Sequence, residues 1–180
     1  MLRPDGRGGN GGPGGALSRA SRAAVLAALV LLAGCGARSG PEAASRALPL
    51  QPGETPHIRA LIDLYADRHG VPRALVHKVV QRESGYRPGA RNGPYYGLMQ
   101  ILPATARSMG FRGDAAQLLD PATNLDWGVK YLRGAWLVAD ADMDAAVMWY
   151  ARGYYYEARD RCLLVETGLA DHEIARHCRP

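Results

Sequence analysis

Residues 83–106 read "ESGYRPGARNGPYYGLMQILPATA". The stretch opens on a carboxylate, Glu83, where an apolar helical run ends. It continues through glycine, proline and aromatics, and closes at Pro103 on a fresh helix start. Glu83 follows Val76, Val79 and Val80 at offsets of seven, four and three. A helix therefore carries it on the same stripe as those valines. It also falls in the last turn, where the helix dipole opposes negative charge. Both influences favour the protonated carboxyl and predict a raised pKa. A carboxyl group that keeps its proton near neutral pH can serve as a general acid. The same pattern fits a solvated boundary residue, so periodicity alone leaves both readings open.

Working outward, the flanking segments are helical. Thr55 and Pro56 supply an N-cap and a first-turn proline, and Ile58, Leu61, Ile62 and Tyr65 form one stripe. Gly70 stops that helix. Pro72 starts a second, with Leu75, Val76, Val79 and Val80 on one face. The glycines and prolines after Glu83 exclude a long helix before Gly97. Pro103 begins a short helix that Gly110 ends. Asp120 with Pro121, or else Asn124, caps a longer one bearing Leu125, Val129, Leu132 and Trp136. Asp142 or Asp144 caps another, with Ala146, Val147 and Tyr150, ending at Gly153. Two more helices are expected near 157–166 and 171–178. Strand signals are nearly absent and there is no internal repeat. The expected fold class is mostly α, a single small helical domain.

The chain has 180 residues, 47% of them apolar, which suits one domain with attachments. Its formal charge is +5, but four arginines and one acid lie in residues 1–35, and the remainder carries +2. That is too weak an imbalance to indicate nucleic acid, and it does not oppose an anionic polymer. Arg19 and Arg22 precede "AAVLAALVLLAGC" at 23–35. This apolar run is too short to span a bilayer and suits the hydrophobic region of a signal peptide. Leu32-Ala33-Gly34-Cys35 resembles the bacterial lipobox, in which the cysteine receives lipid. The alternative is an anchoring helix with an incidental cysteine. Lipidation of Cys35 implies a protein anchored in the cell envelope, expected at the outer membrane facing the periplasm. Residues 36–54 read as a flexible tether. Cys162 and Cys178 remain as an even pair in an exported chain, which points to a bridge; two unpaired thiols are the alternative. His57, His69, His77, His172 and His177 are scattered and expected at the surface, with no ligand cluster and hence neither metal nor cofactor.

Four motifs then occur in order between residues 83 and 153: "ESGYRP", "GLMQILPATA", "NLDWGVKYL" and "WYARG". Together they resemble the lytic transglycosylase (SLT) domain of the soluble lytic transglycosylase and goose-type lysozyme group, over about 55–153. The resemblance implies a lysozyme-like domain with a substrate cleft, acting on peptidoglycan glycan strands, with 154–180 as a divergent helical tail of the same domain. It implies Glu83 as the sole catalytic acid/base. It also implies Ser84, Gly97, Leu98, Met99 and Gln100 at the sugar cleft, and Tyr150 hydrogen-bonding near Glu83. The residue chemistry is compatible. Gly97 lets backbone approach a sugar, Gln100 offers donor and acceptor, and Tyr150 can orient a carboxyl. Leu98 and Met99 fit a core equally well.

The chain departs from the family in three places. Tyr150-Ala151-Arg152-Gly153 stands where the family has Y-N-A-G. Asn92 is the residue nearest the serine that often follows the ES motif. The tail "GYYYEARDRCLLVETGLADHEIARHC" replaces the usual ending. A single carboxylate requires the substrate to assist, an exception to the paired carboxylates of most glycosidases. The expected product is a 1,6-anhydro-muramoyl end. Two alternatives are a lysozyme-type hydrolase and a weakly catalytic peptidoglycan-binding lipoprotein. If Cys35 carries the anchor, Cys35→Ser moves the protein out of the membrane fraction or leaves it uncleaved; fractionation of expressing cells with an anti-tag blot reads the outcome.

Overall fold

Thr55 Oγ1 accepts the Ile58 N–H at 3.2 Å and opens the first helix, α1 (Pro56–His69). The structure, a computed structural model, describes residues 49–178. The signal peptide, Cys35 and the tether as far as residue 48 lie outside the described residues. Gly70, in the left-handed region at φ 64°, ends α1 and returns its N–H to Ala66 and Asp67. Pro72 leads into α2 (Arg73–Ser84). After a two-stranded hairpin comes α3 (Pro103–Ser108), then a 3₁₀ turn (Ala115–Leu119) and α4 (Pro121–Val138). The choice left open for α4 resolves to Asp120, whose carboxylate accepts the Thr123 N–H at 2.8 Å. That for α5 (Met143–Arg152) resolves to Asp142, bonded to the Ala145 N–H at 2.7 Å. No helix among the described residues is long and apolar enough to cross a membrane.

The eighteen-residue α4 is the central rod. Its Leu125, Val129, Leu132, Ala135 and Val138 form a core with Ile58, Ile62 and Ala66 of α1. Leu75, Val76, Val79 and Val80 of α2 and Ala146 and Val147 of α5 complete it. Burying each of the larger aliphatics contributes roughly 1.5–3 kcal/mol. A smaller cluster of Ile101, Ala106, Phe111 and Leu118 sits under the hairpin side. The hairpin pairs β1 (Arg91–Asn92) with β2 (Tyr95–Tyr96) antiparallel. It turns at Gly93, whose φ is 57°. Two-residue strands leave too short a pattern for sequence periodicity to register.

The tail corrects the expectation of helices at 157–166 and 171–178. It holds α6 (Tyr155–Asp160), six residues long, and a 3₁₀ turn at Arg176–Cys178. Cys162 adopts a left-handed φ of 59°, and the Leu163 N–H turns back to the Ala158 carbonyl at 2.8 Å, which stops α6. Side chains and a covalent link replace helix length. Leu164 is fully buried, and Tyr154 enters the core beside Gly134, its Oη donating to the Tyr131 carbonyl at 2.8 Å. Cys162 and Cys178 are disulfide-bonded with Cα atoms 5.4 Å apart. The fold also places His177 by these sulfurs, a His/Cys group the sequence reading did not expect. The bridge engages both sulfurs, and His177 Nε2 is bonded to the Asp160 carbonyl at 2.9 Å.

The described end of the expected tether, residues 49–54, is held in place, which corrects its reading as flexible. Glu54 has a side chain with 0% exposure and pairs with Arg59 at 2.5 Å. Its carboxylate also accepts the Arg59 Nε–H at 2.9 Å and the Gln51 N–H at 2.8 Å. Arg59 reaches the Pro49 carbonyl at 3.0 Å. Burial alone would raise the Glu54 pKa; the hydrogen bonds from Arg59 and Gln51 outweigh it and hold the carboxyl below its ordinary 4.5. His77 stands 3.7 Å from Glu54 and is hydrogen-bonded to Tyr86 Oη at 3.0 Å. It is half-buried, not a surface residue, and burial lowers its pKa. Because Glu54 is depressed when folded, its contribution to stability is present above the unfolded pKa and lost as pH falls through the folded one. Glu54→Ala is expected to destabilise the domain by roughly 3 kcal/mol at pH 7, since Arg59 is left buried without its anion. Urea titrations at pH 7 and below pH 4.5 test this, and the gap to wild type should narrow in acid.

Candidate active site

Glu83 is the penultimate residue of α2. Gly85 closes the helix at φ 58° and sends its N–H to the Gln81 carbonyl at 3.1 Å. The valine stripe brings the Glu83 side chain against the body of the domain, leaving it 22% exposed. Burial pushes its pKa up, and the Arg82 guanidinium, 3.7 Å away, opposes the shift. The carboxyl faces an open cleft of about 320 Å³ shared with Arg82, Asn92, Tyr95, Gln100, Tyr150 and Ala151. Four elements meet there: the end of α2, the hairpin, the turn at 97–100 and the end of α5. Among the lining residues Glu83 is the only carboxylate.

The turn at 97–100 is set by Asn124 in the first part of α4. Asn124 is 0% exposed. Its Nδ2 donates to the Tyr96 carbonyl at 2.8 Å and the Leu118 carbonyl at 2.7 Å, and its Oδ1 accepts the Met99 N–H at 2.8 Å. Met99 packs onto Gly128, where an added Cβ would lie 2.5 Å from its sulfur. Tyr150 Oη then donates to the Met99 carbonyl at 2.8 Å. Burial first, and Glu83 second, keep the Tyr150 phenol protonated far above its ordinary range. Gln100, at φ 48°, donates through Nε2 to the carbonyls of Gly97 (2.8 Å) and Ala90 (3.1 Å). Those two bonds fix the amide's orientation and leave Oε1 buried in the lining without a hydrogen-bond partner among the described residues.

A family model for the transglycosylase SLT domain matches residues 60–160. The chain belongs to the transglycosylase SLT domain family. The match runs past Gly153 through α6, so the family's domain takes in the first turn of the tail. A membrane-bound lytic murein transglycosylase C of Haemophilus influenzae is 34% identical over 92 residues, covering 47% of this chain and 25% of the relative. Proteins of the same name are 38% identical over 80 residues in Histophilus somni, and 36% over 80 in Yersinia enterocolitica. The chain spans about a quarter of the length of these curated relatives, 22–25% of each.

Within this SLT domain the expected site residues separate. Glu83, Gln100 and Tyr150 line the cleft. Leu98 and Met99 have 0% exposure and belong to the core, not the cleft wall. Ser84 is buried, donates to the Val80 carbonyl at 3.2 Å and is not among the residues that line the cleft. Gly97 yields close approach to Asn124, not to a sugar: a Cβ there would lie 2.3 Å from Asn124 Nδ2 and 2.4 Å from the Leu118 carbonyl oxygen. Tyr150 gives its proton to Met99, so it does not orient the Glu83 carboxyl as a donor. The sequence reading missed Arg82, Tyr95 and Ala151 as lining residues and Asn124 as the organiser. Asn124 and Gly128 at a spacing of four, beside the apolar stripe of α4, were the available signal. Gly97→Ala is expected to destabilise by at least about 2 kcal/mol, combining a disfavoured backbone with a clash against a fixed amide. Urea unfolding measures it, with far-UV circular dichroism showing the helices retained.

Proposed function

We propose that this SLT domain is a peptidoglycan lytic transglycosylase that cleaves the β-1,4 bond after N-acetylmuramic acid. The observation that carries the reading is Glu83: a carboxyl with a burial-raised pKa, alone in an open cleft otherwise lined by neutral hydrogen-bonding groups and one arginine. Glu83 protonates the departing glycosidic oxygen. The cleft supplies no second carboxylate to attack or to activate water, so the substrate's own N-acetyl oxygen attacks its anomeric carbon. Glu83, now a carboxylate, takes the proton of the C6 hydroxyl, and that oxygen displaces the acetamido oxygen to close the 1,6-anhydro ring. Carboxyl protonation is restored at the end of the cycle. The relatives are named as membrane-bound murein transglycosylases, which supports a place in the cell envelope with Cys35 as the lipid site.

The free enzyme must begin with Glu83 protonated. Turnover is therefore expected to fall as pH rises through its raised pKa, at higher pH than an ordinary carboxyl near 4.5 would give. Glu83→Gln should fold normally and lose at least about 10²–10⁴ of the rate on purified sacculi, the scale of general acid catalysis. Mass spectrometry of the wild-type products decides the chemistry. Anhydro-muramoyl ends are lighter by one water than the products of hydrolysis, and hydrolytic ends would refute the transglycosylase step.

A further inference from the structure

Among the described residues lining the cleft, Arg82 is the one cation, and the carboxylate recorded beside it is that of Glu83. Several other arginines of the domain sit on carboxylates, and others on carbonyls or aromatic rings. Arg59 holds Glu54 at 2.5 Å, Arg73 holds Asp63 at 3.2 Å and Asp67 at 2.5 Å, and Arg161 holds Asp140 at 2.5 Å. Arg87 and Arg91 bond to the Ser84 carbonyl and to Tyr96 Oη. Arg82 has only a contact from Nε to Glu83 Oε1 at 3.7 Å, beyond hydrogen-bond length, and its side chain is 52% exposed. That neighbour is the group which must carry a proton before the reaction starts. In the resting acid form the guanidinium therefore faces the cleft with its charge unmatched. Around it stand Asn92, Tyr95, Gln100 and Tyr150, all uncharged.

We propose that Arg82 is a specificity-determining residue, binding a carboxylate of the glycan strand beside Glu83. The inference rests on the proposed peptidoglycan substrate. A planar guanidinium with a free fork matches a carboxylate in bidentate fashion, with geometry as well as charge. Murein offers two carboxylate sources near the scissile bond. One is the lactyl group of muramic acid, which is free in strands stripped of their peptides. The other is the peptide stem, which carries carboxylates where the lactyl group is amidated. A polymer of N-acetylglucosamine alone has neither. Arg82 thus separates murein from neutral amino-sugar polymers that would fit the same cleft. It also changes partner during the cycle: a substrate carboxylate while Glu83 holds its proton, and Glu83 itself once that proton has moved to the leaving oxygen.

The test is calorimetric titration in the Glu83→Gln background, which blocks turnover and copies the uncharged acid. Three oligosaccharides of equal length serve as ligands: alternating N-acetylmuramic acid and N-acetylglucosamine without peptides, the same strand with stems, and N-acetylglucosamine alone. Adding Arg82→Gln is expected to weaken a carboxylate-bearing ligand roughly tenfold, the scale of a charge-assisted contact, and to leave the neutral ligand unchanged. Arg82→Lys should recover part of the loss. A loss confined to the bare strand assigns the lactyl carboxylate, and one confined to the stem-bearing strand assigns the stem. An equal change for all three ligands, no change, or no binding of any ligand overturns the proposal. Cleavage of sacculi by the unmutated protein is scored separately. Cleavage without carboxylate selectivity sinks this inference alone, and selectivity without cleavage sinks the catalytic reading alone.

Discussion

The buried amide of Asn124 is the interaction on which the cleft depends. It is a polar group with no exposure, and its three hydrogen bonds go to three separate backbone positions: Tyr96, Leu118 and Met99. An amide buried without partners costs several kcal/mol, so the loop must keep the shape that satisfies it. That shape dictates the neighbours. Gly97 has no room for a side chain, Met99 is turned inward onto Gly128, and the Met99 carbonyl is left pointing at Tyr150. Gln100, itself largely buried, then lines the inner wall of the cleft. A single side chain on α4 thus links the hairpin, the 97–100 turn and α5 across the site.

The end of α2 is fixed from the other side. Gly85 and the left-handed Tyr86 form the elbow after Glu83. Gly53, in the segment that enters the domain, lies so close that a Cβ would stand 2.7 Å from the Gly85 carbonyl oxygen. Tyr86 is buried, its hydroxyl bonded to His77 and its pKa pushed up to about 12 by burial and by Glu54. The Glu54–Arg59 pair anchors this entering segment. The chain therefore joins the domain at the elbow that carries the candidate acid.

Much of this was legible from sequence because it follows short-range rules. Thr55, Gly70, Asp120, Asp142 and Gly153 mark helix ends through local hydrogen bonding and backbone geometry. The valine stripe placed Glu83 on the buried side of α2, and its raised pKa follows from that placement. The failures come from contacts that periodicity and composition do not report. Whether Leu98 and Met99 face the core or the cleft depends on Asn124, twenty-five residues from Met99. Helical pattern at 157–166 lost to the left-handed Cys162 and to burial of Leu164, which tertiary packing decides. The polar composition of 36–54 looked like tether because nothing local shows that Glu54 meets Arg59 inside the domain. A charged pair buried at sequence separation five has no compositional signature.

One carboxyl serving as acid and then as base needs a balanced environment. Deeper burial would raise the Glu83 pKa further and keep the carboxyl protonated at higher pH, but it would make that carboxyl a weaker proton donor in the first step of the proposed cycle and its carboxylate a stronger base in the second. A close, buried cation would do the reverse and remove the proton before substrate arrives. The structure lies between these limits. The side chain keeps 22% exposure, so desolvation is incomplete, and Arg82 stands 3.7 Å away on the solvent side, where water screens it. Tyr150 is nearer the core but cannot ionise in the relevant range, and its proton is committed to Met99. It therefore shapes the site without competing for the proton. The two opposing influences on Glu83 come from the valine stripe and from Arg82, adjacent features of one helix end. In the proposed mechanism, retuning either would shift the acid step and the base step in opposite directions.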